Sequence, residues 1–60
     1  MDKAQILQIL EDDYGTSNPL DIPESDRWEL YSNLKSNIKS NGDPNEYTRQ
    51  IILMCEVLDL

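Results

Sequence analysis

The chain has 60 residues, with 12 acidic and 5 basic side chains, no histidine, a single cysteine and a formal net charge of −7 at pH 7. This composition leaves no room for a second domain, an intrachain disulfide, a histidine metal site or histidine general acid–base catalysis. It also argues against a basic patch for direct contact with nucleic acid or an anionic membrane surface.

A single domain over 1–60 of this size is marginal alone and depends on good helix packing or on association. The opening Met1-Asp2-Lys3 and the short first apolar run do not read as a signal peptide. No segment approaches the roughly 20 apolar residues of a membrane span. The expected location is therefore cytoplasmic, away from membranes.

The first helix is expected over 2–14, with Asp2 as its N-cap. Ile6, Leu7, Leu10 and Tyr14 form an apolar stripe, with Ile9 to one side and Gln5 and Gln8 facing water. Gly15 supplies the left-handed residue that stops a helix. The stretch from Gly15 to Asp21 reads as turn chemistry, because Asn18-Pro19 excludes helix. Leu20 and Ile22 are expected to fold back over one end of the core.

The second helix is expected over 23–40, capped either by Asp21 paired with Glu24 or by Ser25, with Pro23 in the first turn. Leu30, Tyr31, Leu34 and Ile38 make its buried stripe. Lys35 and Lys39 lie near its C-terminal end, where positive charge suits the helix dipole. Asn41-Gly42 ends it and Asp43-Pro44 begins the next helix, a tight connection that makes the two antiparallel neighbours.

The third helix, 44–58, is the element around which the chain is organised. Asp43, Pro44 and Glu46 form its start signal, in the pattern of a capping box. Tyr47, Ile51, Met54 and Leu58 make one stripe, and Ile52, Leu53 and Val57 spread the apolar surface around the sides. Such a helix has to be surrounded. Cys55, inside the apolar run, reads as a buried structural thiol. No run alternates with period two, so the expected fold is an all-α three-helix bundle with helices roughly at 2–14, 23–40 and 44–58.

Four features exceed what folding alone requires. Glu11, Asp12, Asp13, Asp21, Glu24, Asp26 and Glu29 cluster against one base, Arg27, and the first three sit at the negative end of a helix. Trp28, the only tryptophan, reads either as a lid over Leu20 and Ile22 or as a binding hot spot. Covering Ile52, Leu53, Val57 and Leu60 calls for a fourth element that three helices do not supply. Glu56 and Asp59 sit at the negative end of the third helix with no base after Arg49, which points to fraying there or to a base supplied by a partner.

No phosphate-cradling loop or calcium loop is present, and three short helices offer little room for a shaped pocket. The expectation is a non-enzymatic protein without cofactor or metal. It acts as a protein-interaction module that docks on a protein partner, a basic one being compatible with its charge, or self-associates as a homodimer through the third helix. The docking residues expected are Trp28, Ile52, Leu53 and Val57, with Glu11, Asp12, Asp13, Asp21 and Glu24 as the acidic contacts. The alternative is an acidic inhibitor that mimics nucleic acid and blocks a basic site on a nucleic-acid-binding protein, as some phage and anti-defence proteins do.

Overall fold

A computed structural model describes residues 2–38 and 42–60 as three helices, α1 (Lys3–Tyr14), α2 (Glu24–Ser36) and α3 (Pro44–Leu58), with a 3-10 turn at Pro19–Asp21 between the first two. The fold is the all-α three-helix bundle that the stripes imply.

Each helix starts for a local reason. The Asp2 side chain accepts the Gln5 amide at 2.9 Å, and the Gln5 side chain returns a bond to the Asp2 amide at 2.8 Å. This reciprocal capping box stabilises the start of α1 by about 1 kcal/mol. Asp43 accepts the amides of Asn45 and Glu46 at the start of α3, and Pro44 occupies the first helical position, where a missing N–H costs nothing. α2 departs from expectation: neither Asp21 nor Ser25 caps it. Its N-cap is Pro23, whose carbonyl accepts the Asp26 and Arg27 amides, each at 3.1 Å. Asp21 is held elsewhere, by a 2.9 Å bond from the Thr16 hydroxyl, and Ser25 already lies inside the first turn. Glu24 and Asp26 there complement the dipole.

The helix ends are equally specific. Gly15 has φ 73° and donates its amide to the Glu11 carbonyl at 2.8 Å, a left-handed stop that an L side chain adopts only with strain. α2 ends at Ser36, short of the expected 40. The Ser36 hydroxyl and the Asn37 amide side chain both donate to the Asn33 carbonyl, and such bonds compete with helix continuation. The last turn tightens, with Asn37 and Ile38 amides bonding three residues back. Lys39 and Asn41, and with them the rest of the expected helix end, lie outside the described residues. Gly42, at φ 84°, leads into Asp43.

α3 is the hub: α1, α2 and the 3-10 turn all pack on it. Ile6, Leu10, Ile22, Leu30, Leu34, Met54, Val57 and Leu58 form the core. Ile6, Leu10, Met54 and Leu58 have no exposed surface at all. Leu7, Ile9, Tyr14, Tyr31, Ile38, Ile51, Leu53 and Leu60 pack around this centre. The Tyr14 hydroxyl donates to the Asp26 carbonyl at 3.4 Å, so the end of α1 meets the start of α2. Arg27 reaches the end of α3, so α2 runs antiparallel to α3.

The fourth covering element is the segment before α2. Ile22 is buried against the core. Leu20 is not, and remains 65% exposed. The side chain of Asn18 accepts the Leu20 amide, fixing a tight 3-10 turn that carries Leu20 outward before the chain extends at Ile22.

Candidate docking surface

The apolar residues singled out on α3 separate into core and surface. Val57 is buried and belongs to the core, not to an outer face, because the third helix turns it into the packed centre with Met54 and Leu58. Leu53 is half-buried and packs on the core edge, as does Leu60. Cys55 is itself half-buried, less enclosed than expected, with its thiol free. Ile52 alone of this set faces outward, 52% exposed.

On α2, Trp28 is 47% exposed, and Leu20, which it was expected to cover, is itself 65% exposed. Its ring meets Tyr31 edge-on, centroids 5.4 Å apart at 84°, an arrangement favoured by the ring quadrupoles. Its indole N–H donates to the Glu24 carboxylate, one turn back, at 3.3 Å. The Lys35 ammonium lies 5.9 Å from the Tyr31 ring centroid, within reach of a weak cation–π attraction. Glu24, Trp28, Tyr31 and Lys35 thus form one continuous ridge along α2.

The acids gather at the end of the bundle where α1 stops and α2 starts. Glu11, Asp12, Asp13, Asp21, Glu24 and Glu29 are exposed and Asp26 is half-buried. Gln8 donates to Asp12 at 3.0 Å, and Thr16 to Asp21. Tyr14 lies among them. Burial first, and then the charges of Asp26, Glu29 and Asp13, hold its phenol above the ordinary value of 10.0. A phenol raised in the folded state favours folding below the ordinary value, and that contribution is lost as pH rises through the folded value. The difference in phenolate absorbance between the parent protein and Tyr14→Phe is expected to titrate with a midpoint above 10.0. A midpoint at or below it would contradict this placement of the charges.

Arg27 has a structural role that its place in the sequence does not announce. Its guanidinium donates to the carbonyls of Leu58 (3.1 Å) and Asp59 (2.8 Å) and lies 3.8 Å from the Asp59 carboxylate. The side chain is 13% exposed. The base that α3 lacks at its C-terminus comes from within the chain. That base was expected to be missing or to come from a partner. Asp59 adopts a left-handed conformation at φ 56°, and the Leu60 amide closes onto the Cys55 carbonyl at 2.9 Å, the bond pattern of a Schellman stop. Two signals pointed here: uncompensated acids at the end of α3, and a lone arginine in an acidic run.

Among the described residues no cluster of three or more histidine, cysteine, aspartate or glutamate side chains is arranged to hold a metal ion. No described helix is long and apolar enough to cross a membrane. No protein-family model, curated protein or solved structure matches the chain.

Proposed function

We propose that this protein is a small interaction module that acts by docking on another protein, without chemistry of its own. The observation that carries the reading is the exposure of Ile52 and Trp28, 52% and 47%, while Ile51, Leu53, Met54, Val57 and Leu58 of α3 are buried or packed on the core edge. Tryptophan is the residue most enriched at binding hot spots. A second copy is the poorer occupant. Every copy carries −7, and an interface of about 800 Å² per partner would take roughly a fifth of the 4016 Å² surface, acids included. A partner with a basic face meets both the apolar contacts and the charge.

Alanine at Ile52 is expected to change stability by less than about 0.5 kcal/mol while weakening capture of the partner from cell extract. Alanine at Leu53, half-buried, costs more stability. Should Ile52→Ala unfold the domain as readily as Val57→Ala, Ile52 is a core residue and the reading loses its support.

The inward turn of Arg27 favours a second reading. With the one base between residues 11 and 29 engaged at the end of α3, the six exposed acids there are left without a base from that stretch. This suits an inhibitor that imitates nucleic acid. Such binding competes with DNA or RNA and weakens steeply with salt. Changing Asp12, Asp13, Asp21 and Glu24 to their amides abolishes it, and inhibition that survives those changes rules the mimic out.

A further inference from the structure

We infer that the ridge of α2 is a recognition site for arginine side chains in a basic segment of the partner protein, centred on Trp28 and Glu24. This rests on the docking reading above and names the chemistry of the partner. Three observations converge. The indole of Trp28 is about half open to solvent, with Tyr31 set edge-on against it. The Glu24 carboxylate is tied to the edge of that indole by the 3.3 Å bond from its N–H. A guanidinium laid on the ring would therefore meet a flat π face and a carboxylate acceptor together, which is the pairing that favours arginine over lysine. The ridge's own cation, the Lys35 ammonium, lies 5.9 Å from the centroid of the neighbouring Tyr31 ring and not on Trp28.

Charge complementarity selects the occupant. Arg27, next in sequence to Trp28, is turned to the C-terminus of α3. It neutralises neither Glu24 nor Glu29, both exposed on the same helix. An acidic or neutral apolar segment gains nothing from these carboxylates and would have to desolvate them. A basic segment gains at each one.

The test uses the full chain and a fluorescein-labelled peptide of about eight residues alternating arginine and serine, with a lysine–serine peptide of equal charge as control, read by anisotropy at low and physiological salt. The arginine peptide is expected to bind at least about fivefold tighter than the lysine peptide. Trp28→Ala should weaken it about tenfold and Glu24→Gln about fivefold, with Asp12→Asn, of the same charge change, staying within about twofold. Circular dichroism establishes that each variant is folded. If Trp28→Ala is not, Trp28→Leu takes its place, keeping an apolar side chain without the π face. Equal binding of both peptides, or equal losses for Glu24→Gln and Asp12→Asn, means diffuse attraction between opposite charges and overturns the inference. It leaves the docking reading standing, because that reading is decided at Ile52. Conversely, arginine selectivity that needs Trp28 supports the site even if Ile52 proves structural.

Discussion

Leu58→Ala is expected to lower the free energy of unfolding by about 3 to 4 kcal/mol, the range for a buried leucine whose surroundings cannot collapse into the cavity. Leu58 has no exposed surface and lies in the last turn of the helix on which every other element packs. A domain of this length has a total stability of about 3 to 9 kcal/mol, so this one truncation removes a third of it or more. Urea unfolding should show the midpoint falling sharply, with helical signal partly lost before denaturant is added. Met54→Ala, equally enclosed, should behave alike. A loss under about 1 kcal/mol at Leu58 would mean that the centre of the bundle lies elsewhere.

The second large effect is at Arg27. Arg27→Met keeps most of the apolar stem and removes the donors to the Leu58 and Asp59 carbonyls. Hydrogen bonds from a charged group contribute about 1.5 to 3 kcal/mol, and a cation at a helix C-terminus adds up to about 1 more. The buried Nε of Arg27 has no partner, which offsets about 1 kcal/mol of that gain. The expected net loss is therefore about 2 kcal/mol, a fall in melting temperature of roughly 8 to 16 °C for so short a chain. Lysine should recover less than half, since an ammonium is a point charge and not a fork. Asp59→Asn should cost under about 0.5 kcal/mol, because that carboxylate is 70% exposed and screened by solvent. Hydrogen exchange at the Asp59 and Leu60 amides should accelerate in Arg27→Met. Unchanged exchange there would show that the stop holds without the arginine.

The three helices were legible because periodicity and punctuation agreed. Gly15 and Asp43 act as the sequence says they should, and the α3 stripe finds its core partners in Ile6, Leu10, Leu30 and Leu34. The end of α2 was misjudged because Asn33, Ser36 and Asn37 look like solvent-facing residues in a continuing helix. Whether their side chains bond back to the main chain depends on rotamers that periodicity does not encode. Val57 reads as outward from periodicity for a different reason. Its burial comes from how the other elements close on α3, a long-range property. The surface itself was half legible. Trp28 and Ile52 stand out by residue type, but only the fold shows that Trp28 pairs with Tyr31 and Glu24. Arg27 looked like a stray base among acids until the end of α3 came to lie beside it.

α3 is satisfied by its own chain except at Ile52, and the proposed basic partner meets the acidic end and the α2 ridge. Sedimentation equilibrium over a wide concentration range, at low and at high salt, tests this most directly. A monomer is expected throughout, since the core covers Val57 and Leu58 and the net charge of −7 keeps copies apart. A dimer that persists at high salt would contradict it, because α3 would then be burying its apolar side against itself.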